Sequence, residues 1–269
     1  FSQKNKTKAD KANEEFALFN YIDARTIYEG ILRDNPEKAT AEIYKKLGDT
    51  YYLNSEYAQA VDKYKKLKAN FPEAMTPIYS FRLSQSLKSQ GNLEEAVKIL
   101  QGVDMSGIRT ASIDAGYEIE TQQQTQRFKV NRVSVNSPSS DFGTAFYQDK
   151  LVYASASGIG EGSKIDDWTG QPFLDLYVAE MDEVGNLNYL GPIDGDINTK
   201  FHESSAAFTK DGSTVYFTRN NFIDGKKARD KKKTIRLKLY KATKSGDNFW
   251  TNVVELPTTS DIATTINSD

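Results

Sequence analysis

The sequence predicts an α + β multidomain chain made of two repeat arrays, a helical one followed by an all-β one. Three observations predict it. Ala24, Ala60 and Ala96 stand 36 residues apart, each inside the same hydrophobic frame. Over roughly the first 105 positions apolar residues recur at three and four, whereas from about Phe128 short β-rich runs alternate with Gly, Asn, Asp and Ser clusters. Within that second half, segments recur 62 to 65 residues apart. Fixed periods of this size mark repeat architectures.

Bulk composition narrows the rest. A chain of 269 residues favours two domains. A net charge of −2 makes nucleic acid a poor candidate partner. No apolar run approaches the roughly 20 residues of a membrane-spanning helix. Cysteine is absent, which excludes disulfides, thiol catalysis and cysteine metal sites. The opening Phe1-Ser2-Gln3-Lys4 is compatible with the remnant of a cleaved secretory signal, with Ser2 as the small residue before the cut.

The helical elements follow from the first period. Tyr21-Ile-Asp-Ala24-Arg-Thr-Ile-Tyr28 runs to Pro36, and Tyr57-Ala-Gln-Ala60-Val-Asp-Lys-Tyr64 runs to Pro72. Each proline falls where a helix must stop. Leu93-Glu-Glu-Ala96-Val-Lys-Ile-Leu100 repeats the frame without a closing proline. Asn54-Ser-Glu56 and Gly91-Asn92 fall between runs, where helix pairs turn. Residues 1–105 are the first domain, and 106–127 are a linker or capping helix, with Thr121–Gln126 as the hinge candidate.

Tyr44, Leu47, Gly48, Tyr51, Tyr57, Ala60, Tyr64, Leu67 and Pro72 resemble the large, small and breaker positions of a tetratricopeptide repeat. Small residues at Gly48 and Ala60 let paired helices approach, and Tyr57, Tyr64 and Leu67 fill the space beside them. The resemblance implies a concave protein-binding face on the first helix of each repeat. Its candidates are Asn13 and Phe16, then Lys45, Asp49, Tyr52 and Leu53, then Arg82 and Gln85. Phe16, Tyr52 and Leu53 are expected as exposed apolar groups there.

In the β half, residues 128–269, the clearest strand candidates are Val130–Val135, Leu151–Ala154, Leu174–Ala179, Thr214–Thr218, Leu237–Ala242 and Phe249–Leu256. The segment from Asn136 to Phe146 can be laid over that beginning Phe201-His-Glu203 and running through Phe208, and Leu174-Asp-Leu-Tyr177 over Leu237-Lys-Leu-Tyr240. Pro192-x3-Asp196-Ile197 recurs as Pro257-x3-Asp261-Ile262, and Ile266-Asn-Ser-Asp269 stands where a further unit should begin. Units of about four strands cannot bury both faces alone, and radial stacking of them gives a propeller of ~4–8 blades. About two blades are present, which implies further blades elsewhere. The Asp211-Gly212 turn between alternating apolar residues is a hairpin signal, and the units resemble PD40-type, Tol-like propeller blades.

Little suggests chemistry. His202 is the only histidine and has no nucleophile motif beside it. Asp194-Gly-Asp196-Ile-Asn198 has calcium-loop spacing, yet Thr199 and Ser205 occupy the places of the loop glycine and the closing glutamate. Gly158-Ile-Gly160-Glu-Gly162 precedes no helix pattern, so a wide inter-strand loop is expected rather than a nucleotide site. The basic cluster Lys226–Arg236 is expected as a solvated loop, its functional alternative being contact with an anionic surface. No cofactor, metal or catalytic residue is expected.

Helical repeats followed by PD40-like blades resemble, in order, the periplasmic OmpA-family proteins of type 9 secretion and gliding systems, the PorE-like group. That resemblance implies a non-catalytic periplasmic scaffold. It would link an outer-membrane barrel of the PorP/SprF type to the cell wall through a C-terminal OmpA-like peptidoglycan-binding domain outside this sequence. A Tol-like transport accessory and a sugar- or peptide-binding propeller enzyme subunit stay open as alternatives.

Overall fold

The structure is a computed structural model. It describes residues 6–104, 131–158, 164–220, 222–223, 226–227, 235–246 and 249–256. The predicted hinge and capping helix, Gly160 and Gly162, most of the basic cluster and the recurrence at Pro257 lie outside the described residues. The chain divides into two compact units, 1–130 with 167–170 and 131–166 with 171–269. Among the described residues no helix is long and apolar enough to cross a membrane.

The helical unit is three helix pairs: α1 (Lys8–Ala17) with α2 (Tyr21–Asp34), α3 (Ala41–Leu53) with α4 (Tyr57–Asn70), and α5 (Pro77–Ser89) with α6 (Leu93–Leu100). Local chemistry sets the ends. Thr7 and Asp10 form a reciprocal capping box at α1. Thr40 Oγ1 accepts from the Ile43 N–H to start α3. Pro77 occupies the first turn of α5, where its missing N–H costs nothing. Pro36 and Pro72 each open a short 3₁₀ turn directly after a helix. The three alanines of the ladder are fully buried. Gly48 explains how α3 and α4 come so close: a Cβ there would lie 2.7 Å from Cδ1 and 3.0 Å from Cζ of the Tyr64 ring, and nearer still to Cε1. Residues Asp167–Gly170 belong to this unit, and Trp168 stacks on Phe19 at 5.6 Å and meets Tyr21 edge-on at 5.0 Å.

The second unit holds two four-stranded antiparallel sheets. The first runs β1 (Asp141–Tyr147), β2 (Lys150–Ser155), β3 (Asp175–Met181) and β4 (Leu187–Pro192) in sequence order. The second is built from β5 (Glu203–Phe208), β6 (Thr214–Asn220), β9 (Leu237–Ser245) and β10 (Phe249–Glu255), ordered β10-β9-β6-β5. Between β6 and β9 lies a two-stranded ribbon of β7 (Phe222–Ile223) and β8 (Lys226–Lys227). Alternation places Val152, Ala154 and Leu176 of the first sheet in one core with Val215, Phe217, Ala242 and Trp250 of the second.

One predicted strand is absent. The described part of Val130–Val135 is not a strand but leads into a turn in which the Asn136 carboxamide accepts from the Val133 N–H at 3.1 Å and the Asn136 N–H donates to the Val133 carbonyl. A side chain that closes its own turn removes the backbone groups a strand partner would need. Val135 instead packs against Tyr153, Tyr177 and Ala179 on the opposite face of the first sheet.

The two sheets begin with the same hydrogen-bonded box. The Ser137 N–H donates to the Asp141 carboxylate at 2.6 Å, and Ser137 Oγ accepts from the Ser139 N–H. Sixty-two residues later the Thr199 N–H donates to Glu203 Oε2 at 3.1 Å, and Thr199 Oγ1 accepts from the Phe201 N–H. The connector between the sheets is tightly tied. Asn198 grips both backbone groups of Leu176, its Oδ1 accepting from the N–H and its Nδ2 donating to the carbonyl, each at 2.8 Å. Ile193 and Ile197 are buried in the shared core.

Candidate protein-binding face

The face predicted on the first helix of each pair carries alternating charges and rings. From α1, Asn13 Oδ1 accepts from the Tyr28 hydroxyl at 2.7 Å and from Lys46 Nζ at 2.8 Å. Phe16, one turn on, lies under the Lys46 ammonium at 5.3 Å. From α3, Lys45 stands 5.3 Å over the Tyr79 ring of α5. Arg82 of α5 covers the rings of Tyr52 and Tyr79 at 5.7 and 5.9 Å and pairs with Asp49. Helical spacing accounts for the alignment: Lys45, Asp49 and Tyr52 lie at i, i+4 and i+7, and Tyr79, Arg82 and Gln85 at i, i+3 and i+6.

Asp49 is not a surface group. It is 6% exposed, accepts from the Tyr64 hydroxyl at 2.6 Å and pairs with Arg82. Burial pushes its carboxyl up, while the Tyr64 hydroxyl and the Arg82 guanidinium favour the charged form. Burial likewise drives the Tyr64 phenol far above its ordinary range, so it stays a donor. The Arg82–Asp49–Tyr64 chain therefore fixes a guanidinium whose side chain is still 25% exposed.

Leu53 is exposed as predicted, whereas Phe16 and Tyr52 are half-buried and pack on the helical core. Gln85 lies on the Arg82 face of α5, half-buried. Two residues of the face escaped the sequence reading. Lys46 is the register mate of Arg82 at 36 residues, a signal the period itself supplied. Tyr79 shares its register with Ile43, which is 5% exposed, so the period marked it as core.

In the β unit the candidate chemistry is absorbed by structure. His202 Nδ1 accepts from the Leu174 N–H at 3.2 Å, and its ring stacks on Phe173 at 4.1 Å. Asn198, a residue of the calcium-like spacing, turns its carboxamide onto the Leu176 backbone. Among the described residues no group of three or more His, Asp or Glu is placed to hold a metal. Glu203 and Arg219 form a buried pair at 2.8 Å, Arg219 also donating to the carbonyls of Asp196 and Ile197. Burial pushes the Glu203 carboxyl up to about 7 against those donors.

The tetratricopeptide-repeat family profile matches residues 46–74, that is, the end of α3, all of α4 and the turn at Pro72. No curated protein matches the chain. A tetratricopeptide repeat within the helical array, bearing a ring-and-cation face, suggests protein–protein interaction.

Proposed function

We propose that the helical unit binds a protein partner through the Phe16–Tyr52–Tyr79 face and that the chain is a non-catalytic scaffold. The observation that carries this reading is the Arg82–Asp49–Tyr64 chain. It spends a buried carboxylate on holding a guanidinium at the surface, as a recognition surface needs and a packing surface does not. The finer reading is a periplasmic scaffold of type 9 secretion or gliding that joins a PorP/SprF-type outer-membrane barrel to the cell wall. It rests on the order of the two arrays and on the β unit being part of a propeller. Support for the propeller comes from the box at Ser137–Asp141 and its repeat at Thr199–Glu203. The triplets Val135-Asn-Ser137, Ile197-Asn-Thr199 and Ile266-Asn-Ser268 extend the same pattern in sequence.

The test is affinity purification from membranes with the chain as bait, beside the double variant Tyr52→Ala/Leu53→Ser. Recovery of an outer-membrane barrel by the parent chain and its loss with the variant are expected. Equal recovery by both would refute the binding face. Recovery of other partners without any barrel would refute the envelope reading while leaving the face intact.

A further inference from the structure

Between the two sheets of the β unit lies a cavity of about 170 Å³. Its origin is local. Val178 of β3 faces Gly191 of β4, and the β4 ladder shifts register just there, so Leu190 bulges outward and is 51% exposed. The matching pair in the second sheet is Lys241 with Val254, two full side chains. Where the first sheet has only a glycine hydrogen, space remains between Val152, Val178 and the Trp250 ring of the opposite sheet.

The polar groups around this space are unevenly satisfied. Tyr147 and Lys150 are facing partners at the end of the β1–β2 hairpin, so both side chains leave the same face of the sheet. The Tyr147 hydroxyl is buried with no hydrogen-bond partner in the protein, in a residue 4% exposed. A buried phenol left in this state is unfavourable, and a ligand acceptor would relieve it. Lys150 enters no ion pair among the described residues. Across the rim stands Asp194, exposed and fixed by its own carbonyl, which accepts from the Trp250 N–H at 3.1 Å.

We propose that this cavity binds a free α-amino acid with an apolar side chain. An apolar interior with one cationic and one anionic residue on its lining is the complement of a zwitterion with a hydrocarbon tail. The tail lies between Val152, Val178 and Trp250. The carboxylate takes the Lys150 ammonium and the Tyr147 O–H, and the ammonium takes Asp194. At about 30 Å³ per water-sized group the cavity holds about six such groups, enough for the side chain and Cα of leucine.

The probe is L-leucine, added to the 269-residue chain carrying Trp168→Phe, which leaves Trp250 as the only tryptophan. A saturable change in Trp250 emission is expected, with at least tenfold weaker binding of 4-methylpentanoate and of isopentylamine, which each lack one charge. Lys150→Met should weaken leucine binding at least tenfold, and Val178→Phe should abolish it by filling the space. Tyr147→Phe separates recognition from packing: it should weaken binding while leaving the melting temperature equal or higher. The proposal is overturned if leucine gives no saturation by about 10 mM, where even millimolar sites fill. Equal binding of the two half-ligands, or full binding by the Val178→Phe chain with its parent melting temperature, would overturn it as well.

Discussion

Replacing Gly48 by alanine sets two known effects against each other. Alanine is favoured over glycine in a helix interior by about 1 kcal/mol. The new methyl, however, would stand 2.7 Å and 3.0 Å from two carbons of the Tyr64 ring. That ring is fully buried and its hydroxyl is held by Asp49 at 2.6 Å, so it cannot swing aside freely. Overpacking of this kind costs about 1–3 kcal/mol. A strained hydrogen bond to a carboxylate gives up part of its ~1.5–3 kcal/mol. The balance is a net loss of about 2 kcal/mol, or a fall of about 8–16 °C in the melting temperature of a helical unit of this size. Thermal unfolding followed by circular dichroism at 222 nm measures it. Gly48→Ala combined with Tyr64→Leu should lose less than the sum of the two single changes, with a coupling of about 1–2 kcal/mol. A Gly48→Ala chain that melts at or above the parent temperature, or strict additivity in the double variant, would refute the close approach of α3 and α4.

Three further outcomes follow from the β unit. Burial pushes the Asp175 carboxyl from 3.8 up to about 6. The folded chain therefore binds the proton more tightly than the unfolded one, and stability falls as pH rises from about 4 to about 6. Asp175→Asn should flatten that slope and stabilise the chain at pH 8 by on the order of 1 kcal/mol after allowance for solvent screening, as read from urea midpoints across pH. Asn198→Ala leaves the Leu176 N–H without its partner while the Leu176 carbonyl keeps the Ile193 N–H, and a loss of about 2 kcal/mol with faster exchange of the Leu176 amide is expected by hydrogen-exchange NMR. Arg219→Met strands the Glu203 carboxylate and should cost about 3–5 kcal/mol in chemical denaturation, whereas Arg219→Met with Glu203→Leu should recover most of that loss.

The helical unit was legible because a single period governs it. Ala24, Ala60 and Ala96 fix the register, and Gly48 opposite Tyr64 follows from the small and large positions. For the proposed binding face, the positions of the residues were legible in the sequence but their environment was not. Asp49 sits at a groove position by register, yet Tyr64 and Arg82 draw it inside, and no pattern within α3 announces partners 15 and 33 residues away. In the β unit the interior strands β2, β3, β6 and β9 are rich in apolar and β-branched residues and were found. The edge strand β10 was found as well, and β5 was marked by the Asp211-Gly212 hairpin signal; the edge strands β1 and β4 carry Asp141, Gly143, Asn188 and Gly191, whose turn-like chemistry hides them until the neighbouring strand supplies the ladder. The Asn198 grip on Leu176 was masked by its resemblance to an ion-binding loop, since one carboxamide serves either purpose.

That grip bears on the order in which the β unit becomes stable. Leu174, Leu176 and the start of β3 receive their backbone partners from Ile193, Asn198, His202 and Glu203, all synthesised after the first sheet's last strand. A ribosome that has released only residues up to Pro192 has therefore produced four strands but not their fastening. Maturation of the first sheet thus awaits the opening of the second, and the two sheets are expected to share one cooperative transition instead of melting singly.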